Sequence, residues 1–291
     1  MSGRIAVLLA GPSRYINATI ERIELIKNKK LIDYYIFLWQ GDFGNKKREK
    51  EQEFNEELLK DLSIVFYSKA SPFAEESYRP YFTEGTEERQ SVVSNIMGMF
   101  QSMRILATHL DASTAKYDYV LRIRTDCVLI SDEVFKDDFT CENKVHVSMN
   151  YLIPYAWVSD HIMLANKRDF IRIWSWSSSK ELYSEYQKSG MNPEKLLSRK
   201  LNRLNIRPVY NWIRYLDYQI VYFPIKSGEP SCVNDYLTQY GVERFYDKVD
   251  EYLDLKRNSI MDHLTSQKDN QDYYAKPKIV KAYLKLKKIL N

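Results

Sequence analysis

The chain has 291 residues, 44% of them hydrophobic, which is enough to build a core in one large domain or two small ones. Its 43 basic residues nearly balance its 39 acidic ones, and a formal charge of +4 excludes wholesale, charge-driven nucleic-acid binding. Three cysteines, Cys127, Cys141 and Cys232, are odd in number and lack metal-type spacing, which argues against a disulfide scaffold and for a reducing, cytoplasmic compartment.

In "MSGRIAVLLAGPSRYI" the apolar run from Ile5 to Ala10 is too short for a signal segment and reads as a first strand ending in the turn "GPSR". A helix is expected from about Asn17 to Lys27, where Ile20, Ile23 and Ile26 recur at helical spacing. "DYYIFLWQ" and "LSIVFYS" read as the second and third strands, with a charged, solvated helix between them from Asn45 to Leu59. Residues 71–88 read as a loop that borders a pocket, and "QSVVSNIMGMFQSMRILATHLDA" as a long helix leading into the strand "YDYVLRIRTDCVLI". This alternation predicts a largely parallel sheet with helices on its faces.

The second half is mixed. "KVHVSMN" reads as a strand, "SDHIMLANKRDFIRIW" as a strand turning into a helix, and "NPEKLLSRKLNRLNI" as an amphipathic helix. From Asp262 the composition turns polar, and "KPKIVKAYLKLKKILN" sets Ile279, Val280, Tyr283, Leu286 and Leu290 against six lysines as a basic amphipathic helix. Residues 1–261 are therefore expected to form one α/β domain and 262–291 a carboxy-terminal helical extension. No apolar run approaches the roughly 18 residues that a membrane span needs.

The run "YDYVLRIRTDCVLI" raises a question, because side chains alternate along a strand and Arg122, Arg124 and Asp126 then share one face. Buried charges need partners. Parallel sheets bind ligands at the carboxyl ends of their strands, which draws attention to Asp126 and to the first turn, Gly11 to Arg14. That turn lacks the G-x-G-x-x-G spacing of dinucleotide binders, and the chain has no P-loop. Arg14 is either a phosphate contact or solvated surface. Asp126 either meets a hard divalent cation and a diphosphate or pairs with Arg122 or Arg124.

Three stretches, "NIMGMFQSMRILATHL", "YDYVLRIRTD" and "VSDHIMLANKRDF", together resemble bacterial glycosyltransferases of GT-A type, in particular the WavE-like lipopolysaccharide and capsule synthesis family, over residues 90–210. The resemblance implies a GT-A-like, Rossmann-like mixed sheet, mainly parallel and flanked by helices. It implies an enzyme that moves a sugar from a nucleotide-diphosphate donor to a glycan or lipid-linked glycan acceptor. In that fold an Asp-x-Asp motif holds Mn²⁺ or Mg²⁺ against the diphosphate; here the triplet is Arg124-Thr125-Asp126, and Asp126 matches the last position alone. An arginine in the triplet can itself bond phosphate oxygens bidentately.

The same resemblance assigns further roles. Asp160 is the base of an inverting reaction, or else a turn cap. His161 orients an acceptor hydroxyl, or is a hydrogen-bonded core histidine. Independently of the resemblance, Arg89 and Asn95, at the start of the long helix, can reach the donor because helix amino termini favour anions, or Arg89 is solvent-exposed; Arg14, Arg122 and Arg124 are the other donor-binding candidates. His263 joins Asp126 at the metal. Met97, Met99, Met103, Trp174 and Trp176 read as packing residues. The basic tail suggests a peripheral position on the inner, anionic face of the cell membrane. Two other readings stand beside this one: a nucleotide- or glycan-binding protein of the same fold without turnover, and a methyltransferase, which the missing glycine-rich first loop disfavours.

Overall fold

The first strand, β1 (Arg4–Pro12), is buried from Ile5 to Gly11, the pattern of a strand covered on both faces. In this computed structural model, residues 3–13, 16–39, 54–72, 87–136, 141–148, 158–213, 218–220, 233 and 235–248 are described. Helix α1 (Ile16–Ile26) follows β1, then β2 (Leu31–Trp39), a short 3-10 turn (Glu56–Leu59), β3 (Ser63–Ala70) and the long helix α2 (Glu87–Ala112). Next come β4 (Tyr119–Arg124), β5 (Cys127–Leu129), β6 (Lys144–Ser148), β7 (Ile162–Ala165), α3 (Lys167–Trp174), α4 (Ser179–Lys188), α5 (Pro193–Leu204), β8 (Arg207–Ile213) and β9 (Tyr218–Ile220). Of the helix expected at 45–59, the described residues contain the 3-10 turn, and the rest lies outside them.

Seven strands form one sheet in the order β3-β2-β1-β4-β7-β6-β8. The pairs β1–β2, β2–β3, β1–β4 and β6–β8 are parallel, while β7 runs antiparallel to both β4 and β6. The fold is thus mixed α/β with a mainly parallel sheet flanked by helices.

Alternation along β1 decides which helix lies where. Ala6, Leu8 and Ala10 face α2 and α3, packing with Met97, Phe100, Met103 and Trp174; Ile5, Val7 and Leu9 face α1, packing with Ile16, Ile20 and Ile23. Each such isoleucine contributes about 1.5–3 kcal/mol by leaving water. The same rule sorts β4: Leu121 and Ile123 join the α1 side, and Val120 joins the α2 side with Arg122 two residues on. The later helices carry local start signals, since Asn166, Ser178 and Asn192 accept hydrogen bonds from the backbone N–H groups of Asp169, Glu181 and Lys195.

The stretch 117–130, expected as one strand, is two. The chain turns at Thr125 and Asp126, and β5 leaves the main sheet to pair antiparallel with β9. Side chains of α1 take over the backbone bonding there. The Thr19 hydroxyl lies 2.9 and 3.1 Å from the carbonyls of Thr125 and Cys127, and Arg22 donates at 2.7 Å to the carbonyls of both Leu129 and Ile130. A buried carbonyl needs a donor, and here a helix supplies what a neighbouring strand would.

Residues 1–238 make up one compact unit and residues 239–291 a second. In the second, residues 239–248 are helical and the Arg244 guanidinium lies 4.8 Å from the Tyr240 ring centre. The basic amphipathic segment expected at 276–290 lies outside the described residues. No described helix is long and apolar enough to cross a membrane.

Candidate functional site

The carboxyl ends of β1, β2 and β4 open into a cleft of about 240 Å³, with Ala10, Gly11 and Pro12 on one side, Trp39 at the end of β2, Asn95, Ile96 and Met99 of α2 on another wall, and Arg124, Thr125, Asp126 and Asp160 at the polar end. This is where an open parallel sheet presents a ligand site. Gly11 has φ of +145°, and a Cβ there would stand 2.9 Å from Thr125 Oγ1, so the close approach of the first turn to the end of β4 requires glycine. The Trp39 indole donates at 2.7 Å to Ser102 Oγ on α2, which fixes that wall.

The polar end is an ion-pair cluster. Arg124 Nε donates to Asp126 Oδ1 at 2.9 Å and Nη2 to Asp126 Oδ2 at 2.7 Å, a bidentate fork. Arg124 Nη1 lies 3.8 Å from Asp160 Oδ2, and His161 Nε2 lies 3.8 Å from Asp160 Oδ1. His161 Nδ1 is hydrogen-bonded to the Tyr218 hydroxyl at 2.9 Å, and the His161 backbone N–H reaches Ser159 Oγ at 3.3 Å.

Electrostatics follow from that packing. Burial raises the Asp126 and Asp160 carboxyls, but Arg124's charge and hydrogen bonds at Asp126, and Arg124 together with His161, Arg122 and a backbone hydrogen bond at Asp160, outweigh it and hold both below the usual carboxylate range. Burial alone would lower Arg124, yet Asp126 and Asp160 drive it well above its ordinary value. Burial, then the nearby Arg124 charge, pushes His161 down to about 4, so its imidazole is neutral at pH 7. Deeper on the same face, Arg122 is 1% exposed with its guanidinium 4.9 Å from the Trp174 ring centre, and none of its three side-chain nitrogens has a hydrogen-bond partner among the described residues. Burial lowers its pKa to about 10, with Asp160 opposing that shift.

The expected site residues separate accordingly. Arg124, Asp126, Asp160 and Asn95 line one cleft, and His161 stands beside Asp160. Arg122 lies beneath them in the core and does not line the cleft. Asn95 stands more than two turns inside α2, so it offers its side chain and not a helix-end N–H. Arg14, the Arg89 side chain and His263 lie outside the described residues. Met97, Met103, Trp174 and Trp176 are buried packing residues, whereas Met99 forms part of the cleft wall. Trp39 was not singled out from sequence; the rule that pointed to the ends of β1 and β4 applies equally to β2 and leads to Trp39.

A divalent cation was expected at Asp126. Both Asp126 oxygens instead accept from Arg124, whose guanidinium stands between Asp126 and Asp160. A metal ion on those oxygens would have to displace the Arg124 fork from both of them. Among the described residues no group of three or more His, Cys, Asp or Glu side chains could hold a metal. The described side chains do not fit a hard divalent cation at this position.

No family model matches the chain, and no curated protein sequence matches it. Solved structures with a similar fold include the galactosyltransferase LgtC in complex with donor and acceptor sugar analogs, at 12% identity and a TM-score of 0.45 over 84% of this chain and 94% of that one. Another is the glycosyltransferase GlyE of Streptococcus pneumoniae TIGR4, at 12% identity and a TM-score of 0.40, where the match spans 72% of this chain and 45% of that one. These are likenesses of overall fold at low overlap, and the functional argument rests on the cleft itself.

Proposed function

We propose that the chain is a nucleotide-sugar-dependent glycosyltransferase of GT-A-like architecture, acting on a bacterial surface glycan of the lipopolysaccharide or capsule type. One observation carries the reading: Arg124 and the ionised Asp160 lie 3.8 Å apart at the polar end of a strand-end cleft whose other walls, Trp39, Ile96 and Met99, are apolar. An apolar slot suits the flat face of a nucleoside, and the guanidinium suits its diphosphate. Leaving-group charge grows on the diphosphate during transfer, so a fixed positive group there stabilises the transition state more than the ground state.

Asp160 takes the acceptor proton in an inverting transfer. Arg124 at 3.8 Å weakens it as a base in the empty site. A diphosphate drawing on Arg124 would return basicity to Asp160 as donor binds. Neutral His161, with Nδ1 engaged by Tyr218, offers Nε2 to orient an acceptor hydroxyl. The basic stripe at 276–290 supports a position at the cytoplasmic face of the membrane, beside lipid-linked acceptors.

A second reading, a nucleotide- or glycan-binding protein without turnover, is favoured by the engagement of both Asp126 oxygens. Incubation of the full chain with a panel of nucleotide sugars, with and without glycan acceptors, decides between them. Donor consumption with a new glycosidic product supports the transferase; saturable donor binding without turnover supports the binding protein.

A further inference from the structure

We infer that the Arg124 guanidinium takes the place of a divalent cation in holding the donor's diphosphate, so that donor binding is independent of metal; this rests on the glycosyltransferase reading of the same cleft. An arginine carries five N–H donors. Two of those on Arg124 are used on Asp126, and Nη1, at 3.8 Å from Asp160, makes no hydrogen bond among the described residues. The side chain is 30% exposed and lines the cleft, so the remaining donors are open to a ligand. Asp126 fixes the fork in one orientation, which removes much of the entropy cost that a free arginine side chain meets on binding.

Charge balance points the same way. A site built for a divalent ion gathers carboxylates whose charge the ion answers. Here the carboxylates of Asp126 and Asp160 are already answered by the guanidiniums of Arg124 and Arg122, with Glu194 coupled to the same groups and the neighbouring His161 neutral. A diphosphate instead finds a cation placed between two acids, with Arg122 beneath it as a second positive charge that cannot be displaced into solvent.

Calorimetry on the full-length protein with UDP, GDP, CDP and dTDP, each in EDTA and again in Mn²⁺, tests the inference, together with electron paramagnetic resonance of Mn²⁺ titrated with protein alone. The expected result is that at least one diphosphate binds with the same affinity in EDTA and in Mn²⁺, that the free Mn²⁺ signal is unchanged by protein, and that Arg124→Ala weakens that diphosphate about 30-fold. Arg124→Lys, which keeps the charge but loses the fork, should recover only part of the affinity. The wild-type comparison stands even if a variant fails to fold. Binding that requires Mn²⁺, with loss of the free Mn²⁺ signal, would overturn the inference and leave the glycosyltransferase reading intact. Absence of binding by every diphosphate in both conditions would overturn both.

Discussion

Replacing Arg122 by methionine is expected to stabilise the protein. The guanidinium is 1% exposed, its three nitrogens lack hydrogen-bond partners among the described residues, and its pKa is lowered from the ordinary arginine range to about 10, mainly by burial. That gap corresponds to about 3 kcal/mol spent on keeping the group charged in the fold. Stacking on Trp174 at 4.9 Å returns up to about 2 kcal/mol. The balance is a net cost on the order of 1 kcal/mol, and methionine fills a similar volume with apolar surface. Arg122→Met should therefore gain about 1–2 kcal/mol, read as a higher urea midpoint at unchanged slope, or roughly 2–4 °C in Tm per kcal/mol.

The sign of the pH dependence follows from a folded-state pKa below the unfolded one in a basic group. The cost is fully present below about pH 10 and fades as pH rises toward the ordinary arginine value, so the difference between variant and wild type should be flat from about pH 6 to 9. A loss of 2 kcal/mol or more in the variant would refute this account and show that the guanidinium is held by favourable bonds.

Asp160→Asn should reduce transfer on the order of 100-fold or more without weakening calorimetric donor affinity, and an equal loss in both would place Asp160 among the donor's own contacts. His161, with a folded pKa of about 4 against an ordinary 6.5, binds fewer protons folded than unfolded, so its contribution is complete above pH 6.5 and is lost as pH falls toward 4, by at most about 3 kcal/mol. Denaturation of wild type and His161→Gln across that window checks it, since the variant should lose less stability on acidification. Gly11→Ala should cost about 1–3 kcal/mol because of its φ of +145° and the Thr125 hydroxyl, and Thr125→Ala in the same chain should recover part of that cost in urea titrations. Truncation before Asp272 should abolish co-sedimentation with anionic liposomes while the protein stays folded; equal recovery of both forms in the supernatant would remove the membrane assignment.

Much of the frame was legible from residue patterns. The near-continuous apolar runs of β1 and β2 announced strands buried on both faces, and the spacing of Ile20 and Ile23 announced α1. Asp126 was traceable because a strand-end carboxylate beside two arginines has few local explanations. What pattern could not supply was register. The break between β4 and β5 depends on Thr19 and Arg22, side chains over a hundred residues away, and no local feature of "RTDCVL" encodes a turn. The different fates of Arg122 and Arg124 were equally hidden, because both occupy the same face and only the packing of Trp174 from a later helix decides which one is sealed.

Strand order also sets a timetable for synthesis. β1 lies between β2 and β4, yet β4 is made more than a hundred residues after β1 begins. At ribosomal rates of about 5–20 residues per second, this largely apolar strand waits on the order of 5–20 s with one ladder edge unpaired. During that interval α1 holds the Thr19 and Arg22 donors ready for carbonyls that do not yet exist. The emerging amino-terminal half is therefore a template for wrong pairing, and chaperone dependence should be concentrated in nascent chains shorter than about 130 residues plus the length hidden in the ribosome tunnel.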